Sequence, residues 1–181
     1  VVEEKRFKLD HYIKVAHTPL SAAAKLGNLK IAKLLLNAGS DIDFHDVYVQ
    51  SPLMAAAQEG HLDVVKFLTE KGADVDAVSD NHGTALHCAA KGGHLEIVSY
   101  LLDQRANINA YIYREGTPLN SAAKNGHREV LALLIDRGAI LNSSDSKQVP
   151  VLTRAGYRGD NQTITLLLKR CDEGLTARLM S

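Results

Sequence analysis

One short block returns in this chain at an unbroken spacing of 33 residues: TPLSAAAKLGN from Thr18, SPLMAAAQEGH from Ser51, TALHCAAKGGH from Thr84 and TPLNSAAKNGH from Thr117. A weaker copy, PVLTRAGYRGD, starts at Pro150. Such a unit is too small to bury its own apolar face and must stack on its neighbours. The chain is therefore expected to be a one-dimensional array, in which length sets the number of units rather than of independent domains.

Each unit reads as two short helices and an extended loop. Thr18-Pro19, Ser51-Pro52 and Thr117-Pro118 pair a hydroxyl N-cap with proline at the first helical position, where its missing N–H costs nothing. Thr84-Ala85 keeps the cap without the proline. The first helix is alanine-rich, which lets neighbouring helices approach closely, and Gly27, Gly60, Gly93, Gly126 and Gly159 are placed to close it. The second helix carries apolar residues at helical spacing, such as Leu62, Val64, Val65 and Leu68, or Leu95, Ile97, Val98, Leu101 and Leu102. Gly39, Gly72 and Gly138 end it, but Arg105 stands at that position in the third unit. A left-handed residue other than glycine costs roughly 1–2 kcal/mol.

Taken together, the Thr-Pro-Leu start, the alanine pair, the Gly-His step and the period resemble the ankyrin repeat. The resemblance implies an all-α fold, an ankyrin-repeat solenoid of stacked helix-turn-helix units with hairpin-like fingers. Residues 18–50, 51–83, 84–116 and 117–149 are the expected full repeats. Phe7-Lys8-Leu9-Asp10 shares the register of Ala73-Asp74-Val75-Asp76, which puts Val1 inside a second helix. Residues 1–17 are thus the end of a preceding partial repeat or an N-terminal cap, the first being preferred. Residues 150–181 read as a degenerate C-terminal capping repeat and tail. There Asp160 replaces the usual histidine, and Arg154, Asn161, Gln162 and Thr163 replace small or apolar residues. Leu133 and Leu134 are expected to lean on this cap.

Composition excludes several classes. Lys+Arg and Asp+Glu are both 21, so the net charge is zero and the basic excess of a non-specific nucleic-acid binder is missing. No apolar run is long enough for a bilayer, and VVEEKRFKLD lacks the order of a secretory signal. Two cysteines make no disulfide framework, and Cys88 is expected buried and reduced. An intracellular protein with no membrane partner is the expectation.

The chemistry-bearing residues have structural explanations. His61, His94 and His127 recur at the repeat period, but stacked helices sit about 8–10 Å apart, too far for three histidines to share a zinc at about 2.0–2.1 Å. The cluster Asp80, His82, His87 and Cys88 matches no standard zinc spacing, and His87 is the histidine of the family's TPLH motif. Nucleophile elbow, phosphate loop, dinucleotide fingerprint and HExxH are all missing. Neither an enzyme, a metal site nor a cofactor is expected.

In ankyrin proteins, partners usually meet the finger tips and the exposed ends of the first helices. The register puts Tyr12, Lys14 and Lys25 there in the first repeat, and His45, Val47 and Tyr48 in the second. Lys91 follows in the third, Tyr111, Tyr113, Arg114 and Lys124 in the fourth, and Tyr157 with Arg158 in the last. Five of the six tyrosines fall in this set, and tyrosine and arginine are frequent binding hot spots. Val47-Tyr48-Val49 and Tyr111-Ile112-Tyr113 make the tips unusually apolar. The leading expectation is a protein-recognition module whose finger tips and concave face hold an extended or loop segment of acidic character. Alternatives are a ligand-binding or regulatory segment of a larger multidomain protein, a nucleotide-type ligand meeting Tyr111, Tyr113, Lys124 and Arg158. The resemblance also marks Asn109 and Asn142, with Leu101 and Leu134 eight residues earlier, as positions of asparagine hydroxylation in some members. Hydrogen bonding within the finger is their simpler role.

Overall fold

The computed structural model describes residues 18–45, 49–113, 115–141 and 151–179, excluding the side chains of Arg154, Tyr157 and residues 171–179. Ten helices lie in these residues. The first helices of the repeats are α1 (Pro19–Lys25), α3 (Pro52–Glu59), α5 (Ala85–Gly92), α7 (Pro118–Asn125) and α9 (Val151–Tyr157). The second helices are α2 (Leu29–Asn37), α4 (Leu62–Glu70), α6 (Leu95–Asp103), α8 (Arg128–Asp136) and α10 (Asn161–Leu179). Each first helix packs on its own second helix and on the first helix of each adjacent described repeat, so two rows run along the stack.

The N-caps form as their sequence requires. Thr18 Oγ1 accepts from Ser21 N at 3.1 Å and Ser51 Oγ from Met54 N at 3.2 Å. In the third and fourth repeats a side chain at the third helical position reaches back, as in a capping box. Thr84 N donates to His87 Nδ1 at 3.2 Å, and Thr117 N to Asn120 Oδ1 at 3.0 Å. Helices α3, α5 and α7 end on left-handed Gly60, Gly93 and Gly126. Arg105 adopts φ 66 where Gly39, Gly72 and Gly138 stand in other repeats, so the strain expected from its sequence position is present.

The core is a column of alanines and branched side chains. Ala55, Ala56 and Ala57 are fully buried between first-helix neighbours, and Val64, Val65 and Leu68 close the column from the second-helix row. The recurrent histidines stitch the repeats together. His61 Nε2 donates to the Lys25 carbonyl at 3.0 Å, His94 to Gln58 at 2.8 Å and His127 to Lys91 at 3.0 Å. Each imidazole lies over a glycine of the preceding repeat: a Cβ on Gly93 would come within 2.4 Å of His127 Nδ1. The periodic histidines therefore bond separate carbonyls and do not converge.

A second seam runs through the loops. Asp43 Oδ1 accepts from Asp74 N, Asp76 Oδ1 from Asn107 N and Asn109 Oδ1 from Ile140 N, each at 2.9 Å. Asn109 thus holds the next repeat, while Asn142 lies outside the described residues. No helix among the described residues is long and apolar enough to cross a membrane.

Candidate functional site

The finger that leads into the fourth repeat, around Ile112 and Gly116, carries two projecting tyrosines. Ile112 N donates to the Gly116 carbonyl at 2.9 Å and Gly116 N to the Ile112 carbonyl at 2.8 Å, closing a tight loop. The finger before it closes in the same way between Ser79 and Gly83. Ile112 is only 5% exposed. Its methyl reaches the space a Cβ on Gly83 would fill, so the isoleucine anchors one finger beneath its neighbour. The sequence suggested an apolar tip across Tyr111-Ile112-Tyr113, but the central residue turns inward. Tyr111 and Tyr113 flank it and project, at 57% and 76% exposed.

Beside this finger runs a row of first-helix ends. Lys25, Lys91 and Lys124 occupy the same register in three repeats, with Gln58 completing the row. The backbone carbonyls of Lys25, Gln58 and Lys91 are those held by the histidines, so bonds between repeats fix the row. Lys91 and Lys124 are exposed and Lys25 is half-buried. Lys124 Nζ lies 2.9 Å from Glu115, which joins this helix end to the Tyr111–Tyr113 finger. Gln58 accepts from Gln50 Nε2 at 2.7 Å, and that link makes a similar connection two fingers earlier.

Arg158 joins the row through a role that its sequence position did not reveal. Its Nη1 donates to the Lys124 carbonyl at 2.9 Å, and a Cβ on Gly126 would lie 2.8 Å from its Nη2. Arg158 thereby does in the last repeat what histidine does in the others. The available signal was a cation two residues before the position where Asp160 replaces histidine. Asp160 is released to cap α10, accepting from Thr163 N at 3.1 Å and from Arg128 Nε at 2.9 Å. The hydrogen bonds from Thr163 and Arg128 lower its carboxyl to about 2.

The remaining predicted residues divide. His45 is half-buried, and its Nδ1 donates to the Asp43 carbonyl at 2.8 Å, which ties the ring to its own loop. Tyr12, Lys14, Val47, Tyr48 and Arg114 lie outside the described residues, as does the side chain of Tyr157. The sixth tyrosine, Tyr100, sits half-buried on α6, with its hydroxyl 2.7 Å from Thr69 Oγ1.

The titratable groups nearby are tuned for structure. Burial lowers the pKa of His87, outweighing the Gly116 carbonyl, which accepts from its Nε2 at 3.1 Å. Burial pushes the Cys88 thiol up to about 12, so it stays protonated and weakly nucleophilic. Burial also raises the Asp43 carboxyl, against the hydrogen bond it receives from Asp74 N, and neighbouring Asp74 and Asp41 raise it further. No group of three or more histidine, cysteine or carboxylate side chains among the described residues is placed to hold a metal ion.

A family model described as ankyrin repeats, in three copies, matches residues 4–79, 20–112 and 76–145. No curated protein matches the chain.

Proposed function

This chain belongs to the ankyrin-repeat family, and from that premise we propose that it is a non-enzymatic protein-recognition module. The partner lies across the Tyr111–Tyr113 finger and the row of first-helix ends that carries Lys91, Lys124 and Arg158. The observation that carries this reading is the exposure of Tyr111 and Tyr113, at 57% and 76%, on a loop closed by two backbone hydrogen bonds and anchored by buried Ile112. Two large, stiff side chains held out on a fixed backbone lose little freedom on binding. The adjoining cations favour a partner of acidic character, an extended or loop segment. Its carboxylates compete with Glu115 for Lys124.

The test compares two double variants of the full chain in quantitative capture of its partner from native lysate. Truncating a central aromatic hot spot costs about 2 kcal/mol or more, roughly thirty-fold in affinity. Tyr111→Ala with Tyr113→Ala is expected to lose capture while the melting temperature stays within a few degrees. Lys66→Ala with Glu96→Ala, on α4 and α6, is expected to retain it. If the second pair abolished capture and the tyrosine pair did not, the partner would be reading the second-helix row.

A further inference from the structure

Two rows of exposed side chains advance in step on the recognition surface. Lys91 and Lys124 share one register on the neighbouring helices α5 and α7, and both are exposed. Val78 and Tyr111 share one register on the fingers that lead into those helices, and both are exposed. Both rows therefore step by the same interval, the helix spacing of about 8–10 Å. Finger and helix end adjoin, because Glu115 at the base of the second finger reaches Lys124. The result is a cationic rail beside an apolar one, with a common period. Ahead of Lys91 the row holds Gln58, whose side chain is taken up by Gln50. Beyond Lys124 the Arg158 guanidinium is taken up by the Lys124 carbonyl.

Glu115 marks what the cationic rail accepts. Its carboxylate lies 2.9 Å from Lys124 Nζ, with 16% of its side chain exposed against 42% for the lysine. His82 holds the register of Glu115 in the preceding finger, so Lys91 has no such carboxylate. Among the described residues no ion pair engages Lys91. The chain thus supplies one carboxylate to a rail of two cations.

An occupant must repeat carboxylates at about 8–10 Å on one face and apolar groups at the same interval on an adjacent face. A β-strand returns to one face every second residue, at about 6.6 Å or about 13 Å, and matches neither rail. A polyproline II helix has three residues per turn and rises about 3.1 Å per residue, so each of its three faces recurs at about 9.3 Å. One face then meets the lysines, the next meets Val78 and Tyr111, and the third stays in solvent. Aromatic side chains are also what such a helix docks on, and its backbone is ordered before it binds. We propose that the partner segment is a polyproline II stretch of about two turns, with acidic residues three apart on Lys91 and Lys124 and prolines on Val78, Tyr111 and Tyr113. This deepens the reading of the surface as a protein-recognition site and rests on it. One carboxylate of the segment meets Lys91, and the other displaces Glu115 from Lys124.

Synthetic peptides test this by fluorescence anisotropy against the full chain at low salt. Each carries two glutamates in an otherwise all-proline frame, placed two, three or four residues apart at equal charge. A further peptide is an alanine-based helix with its glutamates seven apart. The three-spaced proline peptide is expected to bind several-fold more tightly than the others, and Lys91→Ala or Lys124→Ala to remove that preference. Glu115→Gln is expected to tighten the same peptide several-fold, since the internal competitor loses its charge. Equal affinity at every spacing, tightest binding by the helix, or no detectable binding of the three-spaced peptide would each overturn the proposal. So would a Glu115→Gln variant that binds it no better. The spacing comparison uses the unaltered protein and does not depend on how any variant folds. The recognition reading is judged separately, by lysate capture in the tyrosine pair, so peptides blind to spacing overturn this proposal and leave that reading standing.

Discussion

At Arg105 the backbone is left-handed, with φ 66, and the side chain is exposed, whereas the other second helices are followed there by Gly39, Gly72 or Gly138. Arg105→Gly removes the clash between Cβ and carbonyl and is expected to raise unfolding free energy by about 1 kcal/mol, less than the full penalty because glycine also loosens the unfolded chain. Urea unfolding at constant slope measures it, and a drop in midpoint would give the guanidinium a structural role of its own. His87 offers a pH signature. Thr84 N donates to its Nδ1 and its Nε2 donates to the Gly116 carbonyl, so the ring is held neutral in one tautomer. Burial keeps its folded pKa below the ordinary 6.5. Above 6.5 the ring is neutral in both states and its contribution is complete. As pH falls below 6.5 the unfolded chain takes up a proton that the folded ring refuses, and stability declines until the folded pKa is passed. His87→Asn borrows the side chain that Asn120 uses in the same box and is expected to flatten stability against pH below 6.5. An unchanged slope would move the effect to other histidines. Asp160 works with the same sign over a lower range: its contribution is present above the ordinary 3.8 and is lost as pH falls through about 2.

At the scale of elements, the helices are short and owe their order to what holds their ends. Nine-residue second helices are marginal alone in water. Their first turns begin at His61, His94 and His127, whose side chains bond the preceding repeat and do not cap their own helix. Helix initiation is thereby coupled to stacking. Contacts along the second-helix row are softer. Lys33 lies 5.6 Å from the Phe67 ring centre and Lys66 lies 5.8 Å from that of Tyr100. Arg137 pairs with Asp103 at 2.8 Å, and Arg170 pairs with Asp136. Such exposed pairs contribute at most about 1 kcal/mol each. The fingers gain rigidity differently, through ladder bonds such as Asn109 to Ile140 and through side chains such as Ile112.

Across the whole molecule, stability is a sum of repeats and interfaces, so the ends matter most. Removing residues 150–181 takes Val151, Ala155 and Leu167 out of the core. Leu133 and Leu134 look from sequence like the residues this would expose. The register corrects that expectation: Leu167, the counterpart of Leu134, remains buried in the last repeat, whereas Leu152, the counterpart of Leu119, does not. Leu119 is therefore the side chain uncovered. The truncated chain is expected to melt lower and to self-associate, as read by differential scanning calorimetry and sedimentation. A monomer of equal stability would show that the last repeat is no cap.

The sequence by itself determined the period, the helices and their boundaries. Caps such as Thr18 and Ser51 and stops such as Gly60 and Gly93 act on residues three or four positions away, so their meaning is local and recurs in every unit. Tyr111, Tyr113, Lys91 and Lys124 were legible as surface candidates for the same reason, since register alone placed them. Only the tertiary structure decided what depends on a neighbour some thirty residues away. It turned Ile112 inward beneath Gly83, gave Arg158 the carbonyl of Lys124, and showed that Leu119 rather than Leu134 leans on the last repeat. An apolar helix side looks the same in sequence whichever neighbour covers it, and only the stacking direction distinguishes the two.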